Sequence, residues 1–412
     1  MTITNLSNAD YSALFKRVYG EYGDNLYGSG SEDVLESQIP KYFNFKGKDF
    51  ASAQKVGFGG SVGFGRLPVA NPSKNIEYVL TRKKAYARMN LDRETIVASE
   101  GKEGAFKQAT SEETLSKLKS FTRVQALSAY NDGTGILGQF SGSAGGTTSA
   151  PTMTILNTGT YAFRRNFFEA GDVYEVKDAG GTWLTSKFKV TSINKSTRAM
   201  VLERISGTDD LTSIGAGTHS LALEGSSIGV PMGLLGIVNF SSGSMYGASF
   251  QERWQPYLQA KSGSPLVSID FLNEAMLEQE DRAGEPFDLI IPSTKQMLKL
   301  LNQMEDKKRY TLTSTKNDFS KARVSFSGIE YMSTSGVVPI KSSRYVRDDM
   351  ILFVTRNKMY RKHAEKFGWF DEDGTVLLRM PEDDAYEARY GGYYENFFNP
   401  FYVGAITGLS TT

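Results

Sequence analysis

Apolar residues return every three to four positions between Leu115 and Tyr130, the longest helical rhythm in the chain. Leu115, Leu118, Phe121 or Thr122, Val124 or Gln125, Leu127 and Tyr130 make one stripe, with Lys117, Lys119 and Arg123 among the polar positions between. Thr110 with Glu113 three residues on forms a capping box, and Asn131-Asp132-Gly133 supplies a stop. The pattern therefore predicts a helix from Thr110 to Asn131, a rod of roughly 33 Å. Period two takes over elsewhere. In the run from Ile76 to Asp92, Ala85, Ala87, Met89 and Leu91 alternate with Tyr86, Arg88, Asn90 and Asp92, which predicts a strand with two different faces.

That strand follows a second extended run across a tip holding Gly57, Gly59, Gly60, Gly63, Gly65, Pro68 and Pro72. A long hairpin of this kind has no core of its own and is expected to reach a neighbour or lie on a surface. Upstream, Tyr11, Leu14, Phe15 and Val18 form one small apolar face, and Val34, Leu35 and Ile39 another that Pro40 stops. Neither looks able to fold alone, so an arm is expected.

Beyond the long helix the composition shifts to small residues. Residues 139–150 read as a flexible linker. Short strand signals follow from Met153 to Leu223, with turns at Asp178-Ala179-Gly180-Gly181 and Asn194-Lys195-Ser196. They suggest a small barrel or sandwich inserted at about 141–230. After Val230 the pattern is mixed. Ser268 caps a helix through Ile269, Leu272, Ala275 and Met276 that Gly284 ends. Phe287 to Ile291 reads as a buried strand, and Ser293 with Gln296 as a capping box before Met297, Leu298, Leu300, Leu301 and Met304. The remainder is strand-forming, and Pro400 predicts an edge or bent strand near the end.

Composition narrows the function classes. A chain of 412 residues with two to three expected domains carries a net charge of +1, so no global field draws it to nucleic acid or membrane. It has no cysteine, which excludes disulfides and thiolate metal sites. No apolar run is long enough to span a bilayer, and MTITNLSNAD lacks the basic start and apolar core of a signal peptide.

Candidate chemistry is thin. Gly225-Ser226-Ser227-Ile228-Gly229 matches G-x-S-x-G, but Val230-Pro231-Met232-Gly233 follows where a helix is required, so a boundary loop is the better reading. His219 and His363 lie far apart in sequence, and His363 in MYRKHAEK reads as a solvated strand end. Asp371-Glu372-Asp373-Gly374 lacks the remaining ligand spacing of a calcium loop and reads as a turn. The glycines from 57 to 65 miss the G-x-G-x-x-G register because Val62 occupies the third position. Asp306-Lys307-Lys308-Arg309 reads as a solvated helix end. No catalytic, cofactor-binding or metal residue is assigned, and no cofactor is expected.

The order of parts resembles the major capsid protein of tailed bacteriophages, a family with the Hong Kong 97-type fold that encapsulins share. Residues 63–73 (GFGRLPVANPS) look like the family's extended-loop tip, and KKAYARMNLDRET like its returning strand. The Thr110 helix running into Asn131-Asp132-Gly133 looks like the spine helix. FLNEAMLEQEDRAGEPFDLIIPSTKQMLKLL resembles the axial domain, and YEARYGGYYENFFNPFYVGAITGL the closing strands. Together these pieces cover about residues 40–409.

The resemblance implies an α+β Hong Kong 97-type capsid fold with an inserted small β-barrel or sandwich. Its expected parts are an N-terminal arm (1–45), an extended loop (46–98), a peripheral domain with the spine helix (99–140), the inserted β domain (141–230), an axial domain (231–375) and peripheral closing strands (376–412). It implies a non-enzymatic shell protein that assembles as pentamers and hexamers around double-stranded DNA without reading its sequence. The expected partners are copies of itself, a separate scaffolding protein and a portal at one vertex, with a decoration protein as an optional addition. No membrane is involved, and the virion is the expected location, with assembly in the host bacterial cytoplasm. An encapsulin-like compartment is the alternative. Some relatives crosslink a loop lysine to a closing-strand asparagine, for which Lys74 and Asn399 are conceivable but unsupported by spacing. The family's loop also lies over a neighbouring subunit. This raises a pairing of Arg82, Lys83 and Lys84 with Glu382, Asp383 and Asp384, against the plainer reading that both clusters are solvated.

Overall fold

The computed structural model describes residues 33–56, 74–93, 103–249, 254–305, 329–333, 336–370, 376, 378–381 and 383–411. The expected arm face at Tyr11–Val18, the tip from Gly57 to Pro72, the 306–309 charge run and Asp371–Gly374 lie outside them. The chain divides into two compact units. One gathers Met1–Ser37, Arg82–Gly233 and Lys362–Glu395, and the other Gln38–Thr81, Leu234–Arg361 and Asn396–Thr412.

The described chain begins with helix α1 (Val34–Gln38), whose Leu35 is buried, and with Ile39 and Pro40 ending it as expected. Strands β1 (Lys41–Tyr42), β2 (Asp49–Val56), β3 (Lys74–Thr81) and β4 (Lys83–Asp92) follow. The single strand expected from Ile76 to Asp92 is therefore broken at Arg82, and its halves belong to different units. The inward positions change phase there. Ile76, Tyr78 and Leu80 are buried in β3, whereas in β4 the odd positions Ala85, Ala87 and Met89 are the more covered. One continuous strand cannot bury even positions and then odd ones on the same face.

Helix α2 spans Glu103–Tyr130, 28 residues or about 42 Å. It starts seven residues before Thr110, so the Thr110–Glu113 pair lies inside the helix rather than at its start. Ala, Glu, Lys and Gln upstream of Thr110 favour the helix, so it runs through the local start signal. The stripe also departs from expectation. Leu115 is exposed, while Gln125 to Tyr130 is buried on every side.

From the end of α2 the chain forms a β-barrel in the same unit. Its strands are β5 (Ile136–Ser141), β6 (Gly145–Gly146), β7 (Pro151–Thr154), β8 (Val173–Lys177), β9 (Trp183–Asn194), β10 (Ala199–Ser206) and β11 (Thr218–Leu223), in the order β5-β11-β8-β9-β10-β7-β6. The sheet curls back on itself, because Phe140 of β5 bridges Ile155 just after β7 and the Leu156 N–H donates to the Gln139 carbonyl at 2.7 Å. Phe140, Ile155, Tyr174, Val176, Phe188, Val190, Met200, Leu202 and Leu221 are each at most 1% exposed, so the interior is a packed core. The turns at Asp178–Gly181 and Asn194–Arg198 stand where the sequence places them. The supposed linker at 139–150 is instead part of the barrel. Phe140 is buried against the His219 ring at 5.0 Å, and Gly138 packs so closely that a Cβ would lie 2.6 Å from Phe168. Within 139–150 only part of the segment is packed: Ala144 is buried and a Cβ on Gly146 would lie 2.5 Å from the Ala150 carbonyl, while residues 145–150 are exposed. Arg123 of α2 clamps the barrel through both guanidinium nitrogens to the Asp172 carboxylate, at 3.2 and 3.0 Å.

The second unit contains α3 (Leu234–Val238), β12 (Ser244–Met245), β13 (Ala248–Ser249), β14 (Tyr257–Ala260), α4 (Ile269–Ala283), β15 (Leu289–Pro292) and α5 (Thr294–Glu305). After these come β16 (Ile329–Ser333), β17 (Gly336–Ile340) and β18 (Ile351–Val354). The chain continues through β19 (Met359–His363), β20 (Gly368–Trp369), β21 (Leu378–Arg379), β22 (Ala385–Phe398) and β23 (Val403–Thr407). A mixed sheet runs β14-β23-β18-β15-β17-β16, with β14–β23 and β15–β17 parallel. Every residue of β15 and β18 is buried, as central strands covered on both faces require. Leu272, Ala275 and Met276 of α4 and Leu300 of α5 pack on this sheet in one core with Phe287 and Phe353.

The caps of α4 are those expected. Ser268 Oγ accepts from the Asp270 N–H, and Gly284 closes the helix at φ 69°. The Ser293 hydroxyl caps α5 by accepting from the Gln296 N–H, but the Gln296 amide turns away to the Asp348 and Ser410 carbonyls, so the box is one-sided. Pro400 begins a 3₁₀ turn between β22 and β23. The strand after it is an interior strand between β14 and β18, not an edge. The base of the hairpin, β2 paired with β3 from Asp49↔Thr81 to Val56↔Lys74, is anchored by packing outside the hairpin itself. Tyr78 stacks on Phe397 at 4.5 Å and shares a 2.8 Å hydrogen bond with the Tyr360 hydroxyl.

Candidate assembly surfaces

The residues singled out for chemistry do not converge. Ser227, the serine of the G-x-S-x-G match, lies after β11 in a loop held by its own backbone, in which the Ser226 N–H donates to the Leu223 carbonyl and the Gly229 N–H to the Ser226 carbonyl. His219 is sealed inside the barrel, its Nε2 3.3 Å from the Gly215 carbonyl. His363 is not a solvated strand end. It is 1% exposed, between Phe367 at 4.9 Å and Tyr394 at 5.6 Å. Its neighbours in sequence are charged, but β19 turns this position inward. Asn399 caps the Pro400 turn by accepting from the Phe401 N–H, a structural task. Among the described residues no group of three or more His, Asp or Glu side chains could hold a metal ion, and no helix is long and apolar enough to cross a membrane.

What the first unit does present is a long ladder with differently charged ends. β22 pairs antiparallel with β4 from Ala385↔Asp92 to Tyr394↔Lys83. At one end stand Arg82, Lys83 and Lys84. The Arg82 guanidinium lies 5.3 Å over the Tyr393 ring, and none of the three makes an ion pair among the described residues. At the other end Asp384 meets Arg93 of its own chain at 3.4 Å, with Asp383 beside it, while Glu382 lies outside the described residues. The ladder sets the two charged ends about 30 Å apart at a strand rise near 3.3 Å. They do not meet within one chain. Mid-ladder, Glu387 is buried and accepts from Arg88 at 2.8 Å and from Arg389. Burial works to raise its pKa, but the hydrogen bonds from Arg389 and Arg88 outweigh this and hold it below the ordinary carboxylate value.

Three features had no sequence signal beyond composition. Ile228, in the loop after the barrel, is 93% exposed. An open groove of about 560 Å³ lies at the acidic end, lined by Arg379, Met380, Pro381, Asp383 and Asp384. In the second unit, Met332 and Val337 face each other across β16 and β17 and are both exposed.

No family model and no curated protein matches this chain. Solved structures do. A chain of the cyanophage A-1(L) capsid asymmetric unit aligns with a TM-score of 0.55 and 12% identity, over 99% of this chain and 100% of that one. A chain of the capsid of Myoviridae phage XM1 aligns at 0.46 and 8%, over 97% and 98%. A chain of the SrpI encapsulin complex from Synechococcus elongatus PCC 7942 aligns at 0.42 and 7%, over 99% and 97%. The first of these establishes a shared fold, which is that of a phage capsid chain from end to end.

Proposed function

We propose that this chain is the major capsid protein of a tailed double-stranded DNA bacteriophage, and that it assembles as pentamers and hexamers into the icosahedral head. The observation that carries the reading is the end-to-end correspondence with the cyanophage A-1(L) capsid chain. The fold is α+β with Hong Kong 97-type parts. These are an arm at 1–45, an extended loop at 46–98, peripheral segments at 99–140 and 376–412, an axial domain at 231–375 and a β insertion at 141–230. The barrel supports the insertion, and the β2–β3 hairpin supports the loop.

Copies of the chain are its main partners. A separate scaffolding protein, a portal and a decoration protein complete the expected set, and the enclosed DNA is held without sequence reading. The virion is the location, after assembly in the host cytoplasm. Expression with and without the neighbouring scaffold gene, followed by light scattering and negative-stain microscopy, tests the reading. Closed shells support it. The nucleic acid recovered from particles made during infection separates a viral head from a cargo compartment.

A further inference from the structure

We propose that Ile228 and the Lys83 ammonium of one subunit dock together into the groove lined by Met380, Pro381 and Asp383 of a second copy of this chain, in a head-to-tail contact. The proposal rests on the shell reading above and names one contact by which such a shell would hold.

Ile228 is the most exposed large apolar side chain among the described residues, at 93%. Its loop is not loose. The Ser226 N–H donates to the Leu223 carbonyl at 2.9 Å, the Gly229 N–H to Ser226 at 3.1 Å and the Val230 N–H to Gly133 at 3.1 Å. Gly135 lets the Ser226 carbonyl approach to where a Cβ would sit 2.1 Å away. A knob fixed in this way loses little conformational freedom when it docks. Lys83 belongs to the same patch, since its Nζ lies 3.7 Å from where a Cβ on Gly229 would stand.

The groove offers the complement. Met380 and Pro381 give it aliphatic walls. Asp384 is engaged by Arg93, and Arg379 adds a positive charge, which leaves Asp383 as the carboxylate with no ion pair among the described residues. Lys83 likewise makes no ion pair among the described residues. The two sites stand at opposite ends of the β4–β22 ladder, so one chain cannot satisfy both by itself. A contact between different patches on identical subunits is heterologous and closes into rings when its rotation allows. An apolar knob flanked by a steering charge is also the usual anatomy of an interface centre.

The chain contains no cysteine, so an introduced pair reports cleanly. The test uses the full chain carrying Ile228→Cys with Met380→Cys, assembled, oxidised and run on non-reducing gels. A ladder of linked subunits from the double variant, absent from each single variant, is the expected result. Intact shells without a ladder would overturn the contact and leave the shell reading standing. Dimers from Ile228→Cys alone would also overturn it, because they would place Ile228 on a two-fold axis. As an independent measurement, Lys83→Glu should raise the concentration needed for assembly about tenfold, the scale of one interface anchor, and adding Asp383→Lys should recover most of it. A double reversal no better than Lys83→Glu refutes the pairing. A wild-type chain that stays monomeric with scaffold present fails earlier, at the shell reading, and takes the contact with it.

Discussion

Glu387 sits where a carboxylate is costly unless paired, 4% exposed in the middle of a sheet. Arg88 and Arg389 supply the pairing, and its pKa falls below the ordinary value despite burial. A depressed folded pKa gives stability that is complete above the unfolded value of about 4.3 and lost as pH falls through the lower folded value. Thermal unfolding of the full chain should therefore weaken below about pH 4. Glu387→Gln should lower the midpoint at pH 7 and flatten its decline between pH 5 and pH 3. An unchanged pH profile in the variant would deny Glu387 this role. The sequence shows Arg88, Glu387 and Arg389 but not that they meet, since 299 positions separate Arg88 from Glu387. His363 makes the same point in reverse. Charged neighbours in MYRKHAEK suggest solvent, and only the pairing of its strand shows that the ring is enclosed by Phe367 and Tyr394.

At the scale of elements, the glycines of β22 separate close approach from mere flexibility. Gly391 pairs with Gly368 on one side, and on the other a Cβ would lie 2.1 Å from the Ala85 carbonyl. Gly368 has nothing nearer than 4.0 Å. Gly391→Ala should cost about 3 kcal/mol by forcing β4 and β22 apart, and Gly368→Ala no more than about 0.5 kcal/mol. Equal midpoints in chemical denaturation would contradict the close packing of this ladder. The barrel gives a second test. Its first strand starts at Ile136, so a fragment of residues 136–224 should melt cooperatively with β-type circular dichroism. A fragment cut at 141 loses β5 and the Phe140 seam and should not. Cooperative melting of the shorter piece would mean that β5 is dispensable.

These elements also show what local sequence can convey. The Ser268 and Gly284 caps were legible because a cap depends on a few adjacent residues. The alternation of β4 was legible because one face is covered. Thr110 misled because a start signal has no force inside a segment that is already helical. Residues 139–150 misled because the stretch from the end of β5 through the short strand β6 is built from small, mostly exposed residues that resemble a linker.

The whole molecule sets what no single element reveals. Two units are each stitched from three separated stretches, with one long strand, β22, running from the first into the second. The order of motifs allowed the architecture to be recognised, but not which surfaces remain open once the chain has folded. Ile228 looks in sequence like any residue of a Gly/Ser loop, and only tertiary placement leaves it bare. Solvent-facing cations at one end of a ladder and a groove at the other make sense for a chain completed by its neighbours. The most direct measurement of that claim is cryo-electron microscopy of the purified chain co-expressed with its scaffold. The account predicts closed icosahedral shells of pentamers and hexamers into which this fold fits along its whole length. A monodisperse monomer at high concentration, with scaffold present, would contradict it.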